Sequence, residues 1–461
     1  MNTTRLYPRL HIDHAQVGAV SQAGGVLLTE TIRVSGIDQA LSGALARWKK
    51  PFARHDPAKV CLDLAVTLAL GGDALSDIDV VRSEPGVYGQ VASDATVSRL
   101  VKTLAKDAER SLAAISDARR AARAMVWAAA GAHAPDAGVS PTGHLIIDLD
   151  ATLITAHSEK EHAAPTFKRG YGFHPLLAFV DHGDGGSGEP VAGILRPGNA
   201  GSNTATDHIT VTREALSQLP DDLSHSQVLV RTDGAGGTKE FVAWLTGEGV
   251  SYSLGWTLPF VTTELYQGID EESWEPAFNS DGDPRQGADA AEITNLVDLT
   301  GWPEGMRVIM RRERPHPGAQ LRFEDVDGYR LTAFITNTPY GRLAELELQH
   351  RRRARCEDRI RNLKDTGIRN FPLQGFAQNQ IWLQIVFLAA ELTAWMGLLA
   401  LTQETARTWE PKRLRYRLYT IPAQLARSGR KVVLHLSSRH PAAGLALDAM
   451  MRLRHLPSPA S

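Results

Sequence analysis

The chain of 461 residues is poor in cysteine: Cys61 and Cys356 stand far apart and belong to no CxxC or CxxH pair. That argues against a disulfide scaffold and against a cysteine zinc site, and makes a reducing cytosol the expected setting. Nor does one sign of charge dominate, with 50 Lys and Arg against 52 Asp and Glu, so any nucleic-acid role must come from local segregation of charge. Internal repeats and low-complexity segments are lacking. The opening residues, MNTTRLYPRLHIDH, do not show the basic-then-apolar order of a secretory signal. Long hydrophobic runs are scarce too. The one that is long enough to notice, Ile381 to Leu401, carries Gln384 and Glu391, and a carboxylate without a partner in lipid is costly, so a core helix is expected and a membrane partner is not.

What is present falls into five stretches. Residues 1–140 read as helical. Pro57 to Leu70 is apolar on most faces and stops at Gly71-Gly72, as a buried helix with a glycine cap would. In ASDATVSRLVKTLAKD, Ser93 or Asp94 can cap a helix with Val97, Leu100, Val101 and Leu104 on one side and Ser98, Arg99 and Lys102 on the others. A helix-turn-helix recognition helix looks like this, with Arg99 and Lys102 facing DNA; so do many ordinary amphipathic helices.

From Gly143 onward short apolar runs alternate with helical ones. Strands are expected at 144–150, 174–180, 191–195, 227–232 and 250–256, and helices at 207–219 and 238–247. The order βββαβαβ is that of a ribonuclease-H-like mixed sheet, so the fold class is α/β. Residues 257–340 break the pattern. Ten carboxylates face one arginine between Glu264 and Asp298, and this loop-like acidic piece is followed by expected strands at 306–312 and 329–336, as in an inserted β-rich module. Residues 341–402 then hold a basic helix and the apolar one. The region 403–461 is basic, with nine Lys or Arg and only Glu410 between Arg407 and Arg439.

Two carboxylates close expected strands: Asp150 in IIDLDAT and Asp233 in VLVRTDGAGG, where a glycine run lets something large approach the backbone. Strand ends are where open sheets build ligand sites, although an Asp there can equally cap a turn. Asp148 shares a strand face with Asp150 and is either the alternative ligand or its supporting neighbour. On the basic helix His350, Arg353, Glu357 and Lys364 lie at offsets of three, seven and fourteen, which on an unbroken helix keeps them within roughly 60° of one another. Such a face sets one carboxylate between cations, suited to a metal beside a phosphate; the plainer reading is a solvated charged surface. Three carboxylates from two strand ends and a helix form an oxygen site for hard divalent cations, with Mg²⁺ expected and Mn²⁺ able to substitute. Two such ions about 4 Å apart can serve an in-line attack on a phosphodiester with no covalent protein nucleophile.

These residues resemble the DDE transposases of bacterial insertion sequences, in the branch with a Tyr, Arg, Glu, Lys signature spaced by two, three and six residues, most closely the thirteen-eighty family. His350 stands where that signature has Tyr, and DLDAT, KRGYGFHPLLAFVD, LRPGNAGSNTATDH, VLVRTDGAGG and FITNTP also look family-like. The resemblance implies a ribonuclease-H-like catalytic core, 141–256 and 341–402, interrupted by the insertion 257–340 and preceded by a helical DNA-binding domain. It implies Asp150, Asp233 and Glu357 as catalytic metal ligands. Arg353 and Lys364 would hold phosphates around the cut end, and His350 would hold the terminal phosphate through a pH-sensitive contact. It further implies a hairpin intermediate, with Trp256 or Trp302 stacking a flipped base. Double-stranded DNA, both terminal inverted repeats and target, is the expected partner, and a homodimer the expected assembly, acting at the bacterial nucleoid. Arg415 and Arg417 in the basic tail, with aromatics interleaved, are expected to bind backbone phosphates. Two other functions remain open on the residues: a structure-specific nuclease sharing the site, or a regulator that binds DNA without cutting it.

Overall fold

The computed structural model describes residues 18–140, 143–258, 262–315, 318, 325–429 and 431–457; the opening segment read above for a secretory signal lies outside them. A two-residue strand β1 (Ala19–Val20) leads into helices α1 (Val26–Ser35), α2 (Ile37–Ala44), α3 (Pro57–Ala69), α4 (Asp94–Ala105) and α5 (Ala108–Ala130). There follow strands β2 (Leu145–Ala151), β3 (Ile154–Thr155), β4 (Ala164–Pro165), β5 (Tyr171–Phe173), β6 (Leu176–Val180) and β7 (Glu189–Ile194). Helix α6 (Ala205–Ser217), β8 (Val228–Thr232), α7 (Lys239–Gly247) and β9 (Ser251–Trp256) come next, each within two residues of its expected start and end. Strands β10 (Glu275–Phe278), β11 (Pro284–Glu292), β12 (Arg307–Glu313) and β13 (Arg330–Thr336) precede helices α8 (Leu343–Arg351), α9 (Arg355–Leu363) and α10 (Phe376–Ala400). A hairpin, β14 (Ala423–Ser428) and β15 (Lys431–Leu436), and helix α11 (Ala443–His455) complete the described chain.

One nine-stranded mixed sheet organises the molecule, in the order β10-β11-β12-β13-β9-β8-β2-β6-β7. Strand β2 runs parallel to β8 and β8 parallel to β9, and every other pairing in the sheet is antiparallel. The strands of 257–340 therefore extend this sheet directly, because β13 pairs with β9 through Ala333 to Thr336. The acidic stretch expected as loop contains β10 and β11. Its small residues, Gly287, Ala288, Ala290 and Ala291, give no apolar alternation by which to read a strand, yet Ala288, Ala290 and Ala291 are wholly buried.

Helix α10 is the axis of the helical part. Helices α1, α3, α4 and α5 all pack on it, so the amino-terminal helices share one continuous apolar core with the sheet. By length and composition α10 could cross a bilayer, but 89% of its most apolar window is buried inside the protein. Gln384 and Glu391 explain how. Arg119 of α5 donates two parallel bonds to Glu391, at 2.9 and 2.7 Å, and a third to Gln384 at 2.8 Å. Arg123 also pairs with Glu391 and lies 3.5 Å from Glu189 of β7, whose carboxylate accepts from the indoles of Trp127 and Trp395. Both arginines and both glutamates are fully buried, and breaking such a set from one side would strand a charge in the core.

The expected helix α3 forms as read. Asp56 accepts from the Ala58 amide at 2.9 Å, Pro57 opens the first turn, and Gly71 (φ 114°) and Gly72 close it by donating to Leu68 and Thr67. The basic helix does not run straight. A tight turn at 352–354 separates α8 from α9, and after Lys364 the chain leaves helical geometry at Thr366 and Gly367 (φ 109°). The four signature positions thus do not share one ideal helical face.

Candidate active site

Side chains two apart on a strand share a face, so Asp148 and Asp150 of β2, and Arg231 of β8 with Asp233 after it, all face α9. Deepest in this layer is a closed ionic cluster. Arg231 donates to both oxygens of Asp148, at 2.6 and 2.8 Å, and to Asp181 at 2.8 Å, while also donating to the Gln349 carbonyl at 2.7 Å. Arg359 of α9 reaches down to the same two acids, 2.5 Å from Asp148 and 2.6 Å from Asp181. Burial alone would raise the Asp181 carboxyl, yet Arg359 and Arg231 hold it below its usual range. Asp148 is fully buried and its oxygens are committed to these arginines. It anchors α9 to the sheet, which leaves Asp150 as the strand carboxylate open to a ligand.

Above the cluster the balance reverses. Asp150 accepts only its neighbour's amide, from Ala151 at 2.8 Å. Burial, then Asp233, then the more distant Glu357 push its carboxyl up to about 6, with Arg353 pulling the other way. Asp233 is half-buried and accepts from the Ala235 amide at 3.0 Å. Glu357 is exposed, and no hydrogen bond or ion pair engages it among the described residues. The three carboxylates are therefore near enough to feel one another, although among the described residues no three acidic, histidine or cysteine groups are already gathered as a metal cluster.

The glycine run after Asp233 has a use different from the one expected. A Cβ on Gly237 would lie 2.4 Å from the Gly255 carbonyl oxygen, and one on Gly255 would lie 2.6 Å from the Gly234 nitrogen. What approaches this backbone is β9 of the same chain. That contact fixes the Asp233 turn against the sheet.

Beside the acids opens a cleft of about 890 Å³, lined by Asp233, Trp256, Thr332, His350 and Arg353 among others. Arg353 and Lys364 have no hydrogen-bond or ion-pair partner among the described residues, so their donors are free for an anion. Burial, with Arg369 and Lys168, holds the Lys364 amine below its usual range. His350 lies flat on Phe334, ring centres 4.4 Å apart, with Nδ1 3.0 Å from the Ser253 hydroxyl. Burial, then Arg353 and Arg231, push its pKa down to about 3. Burial and the neighbouring arginines thus favour the neutral ring over the charged one. Trp256 lines the cleft, and Trp302 meets it edge to face at 6.3 Å with the Lys239 amine 5.8 Å from its ring centre.

The remaining expected DNA contacts divide. Arg99 and Lys102 lie exposed on α4, whose buried face is Val97, Val101 and Leu104. Arg417 is exposed, 5.8 Å over the Trp409 ring. Arg415 instead turns inward: it donates to the Ala69 and Leu68 carbonyls at 2.9 and 3.1 Å and to that of Asp365, closing the end of α3. Its expected phosphate contact is corrected accordingly, since a helix end with unpaired carbonyls attracts a cation. Sequence reading missed Arg231, Arg359 and Asp181. The available signal was Arg231 itself, a lone charge in the apolar run VLVRT on the face of Asp233.

A family model described as "Transposase DDE domain group 1" matches residues 5–458. The cryo-EM structure of a piggyBac transposase synaptic complex with hairpin DNA is similar over 96% of this chain and 85% of that one, at 10% identity and a TM-score of 0.42, too faint a likeness to carry an argument. The search of curated protein sequences found no match.

Proposed function

Because the chain belongs to the DDE transposase family, domain group 1, we propose that it is an insertion-sequence transposase that binds terminal inverted repeats, cuts at the element ends and joins the free 3′-ends to target DNA. Membership makes it one of a family of DNA-cutting and DNA-joining enzymes. The finer reading is of a ribonuclease-H-like core, built by the β9-β8-β2-β6-β7 part of the sheet, with an insertion that carries β10 to β13, in a chain most like the thirteen-eighty branch. The observation that carries the active-site assignment is geometric: Asp150 and Asp233 stand at the ends of the adjacent parallel strands β2 and β8, two residues beyond the paired Asp148 and Arg231. Burial and the nearby Asp233 raise the Asp150 carboxyl, as suits a pocket that a cation would relieve.

Asp150, Asp233 and Glu357 offer the hard oxygen donors that Mg²⁺ takes, with at least one oxygen of each free of any hydrogen bond among the described residues. When bound, a pair of such ions supplies activation of the attacking hydroxyl and stabilisation of the leaving oxygen. The chain's own part is to place the DNA. Arg353 and Lys364, both without partners, would grip phosphates on either side of the scissile bond. His350, as a neutral ring fixed by Phe334 and Ser253, would shape the cleft wall beside the terminal phosphate. Trp256 would receive a base flipped out in a hairpin intermediate, with Trp302 bracing it edge-on. Arg99 and Lys102 on α4 would read the repeat, and two copies would pair across two ends.

The test is cleavage of DNA carrying the repeats that flank the gene. Wild-type protein with Mg²⁺ or Mn²⁺ is expected to nick at the repeat end and to yield strand-transfer products. Glu357→Gln should lose at least about 10³-fold in cutting while still binding. Nicking without strand transfer would make the protein a structure-specific nuclease, and metal-dependent nicking absent altogether would reduce it to a DNA-binding regulator.

A further inference from the structure

A second, small sheet stands on the end of the strand that carries Asp150. Strand β3 starts at Ile154, just past β2, and pairs with β5, which also pairs with β4. Strand β5 then runs into β6, whose Leu177 lies opposite Asp150. The crossing is tight: a Cβ on Gly172 would lie 2.0 Å from the Ile154 carbonyl oxygen. The base of this sheet is bolted to the chain that follows Lys364. Buried Phe173 packs on Phe371 with ring centres 5.4 Å apart, the Glu161 amide donates to the Gln374 carbonyl at 3.0 Å, and the Phe376 amide donates to the Glu161 carboxylate at 2.7 Å.

From that rigid base the β4–β5 turn projects into solvent. It is ordered by its own bonds: the Thr166 amide to the Gly170 carbonyl at 2.8 Å, the Arg169 amide to the Thr166 carbonyl at 2.9 Å, and the Gly170 amide to the Thr166 hydroxyl at 3.0 Å. Arg169 is held at φ 61°, a conformation non-glycine residues rarely keep without cause. Phe167 at the tip is 71% exposed, with the Lys168 amine 5.7 Å from its ring centre. Lys168 and Arg169 are exposed, and neither side chain has a hydrogen-bond or ion-pair partner among the described residues. The tip thus belongs to the sheet that continues from the end of the Asp150 strand, and Lys168 is close enough to Lys364 to lower that amine's proton affinity.

Within the fold the ring makes one tilted contact, with His174 at 5.9 Å between ring centres, which leaves most of its surface bare, and a protein partner is a poor fit, because protein interfaces bury apolar residues among few charges. A flat apolar ring flanked by the exposed cations Lys168 and Arg169 matches stacked bases between phosphates. We propose that the tip is a DNA wedge: Phe167 packs on an unstacked base at the step beside the scissile phosphate, while Lys168 and Arg169 hold the flanking backbone. The proposal rests on the DNA-cutting reading above and adds the residue that opens the duplex there.

The test uses the full chain and a duplex of the gene's own flanking repeat with 2-aminopurine at the base next to the cut. Wild type should brighten the probe on binding. Phe167→Ala should abolish that rise and slow cutting by about 10-fold, the worth of one base–aromatic stack, with binding changed less than about 3-fold and an unaltered melting temperature. Phe167→Trp should restore both. Phe167→Ala cutting and brightening like wild type overturns the wedge alone, as does a loss of binding that fully accounts for the loss of cutting. Wild-type protein that never cuts overturns the transposase reading and the wedge with it.

Discussion

Asp148 and Asp150 lie two residues apart on one strand, on the same face and under the same helix, yet their surroundings are opposite. Asp148 is buried with Arg231 and Arg359 closed around it at 2.5 to 2.8 Å. Asp150 has a single amide donor, two acidic neighbours, and a carboxyl pushed up to about 6 by burial and by those neighbours. The arginines of the region divide in the same way, since Arg231 and Arg359 are spent on acids whereas Arg353, one helical stretch earlier, is spent on nothing among the described residues. A closed ionic cluster is how a fold holds its parts in register, and a carboxylate left open beside unspent cations is how it holds a ligand. One layer of charge fixes α9, and the next presents Glu357 from it.

The division can be broken first at its floor. Replacing Arg359 with Met leaves Asp148 and Asp181 sharing Arg231 in a buried site, and losing one member of such a set costs about 3–5 kcal/mol. Arg359→Met should therefore lower the denaturant midpoint strongly and take activity with it, because α9 loses its anchor. If stability held and only cutting fell, the cluster would belong to the active site after all.

The upper layer responds in the other direction. An aspartate has an ordinary pKa near 4 when unfolded and Asp150 is at about 6 when folded, so between those values the folded state binds more protons. Stability then falls as pH rises through that window and stays reduced above it. Asp150→Asn removes the penalty, and in chelator at pH 7–8 it should be more stable than wild type by about 2 kcal/mol, the gap closing below pH 4. Added Mg²⁺ should raise the wild-type melting temperature and leave that of the variant nearly unmoved. Equal stability of the two proteins across the pH range would show that Asp150 is not held in an acid-rich pocket.

How much of this was legible depends on where each residue's partner lies. The strands 145–151, 228–232 and 251–256 could be read because apolar runs ended by Asp or Gly report burial locally. The strand at Pro284–Glu292 could not, because alanines packed on a flat sheet carry no alternation. The signature on the basic helix was legible as spacing, but its geometry was not: the turn at 352–354 and the left-handed Gly367, where a Cβ would lie 3.1 Å from Leu68 and 3.2 Å from Val386, answer to contacts far off in the chain. What sets Asp148 apart from Asp150 was hidden for the same reason: the arginines that surround it, Arg231 and Arg359, lie 83 and 211 residues away in the chain.

The subtlest form of the comparison sets two arginines against each other, both basic residues in basic sequence. Arg353 is unpaired beside Asp150, and Arg415 is spent on the carbonyls that end α3. Arg353→Ala should leave the melting temperature alone and weaken binding to repeat DNA by about 10-fold, as the loss of one charge-assisted phosphate contact would, with a shallower dependence on salt. Arg415→Ala should do the reverse, costing about 1 kcal/mol of stability through the uncapped carbonyls and leaving DNA affinity within about 2-fold. Filter binding across a salt series and thermal melting on both variants read the two axes at once. Should the pattern come out inverted, with Arg415 governing affinity and Arg353 stability, the rule that unpaired cations mark the DNA path in this protein would be wrong at the position where it is most sharply stated.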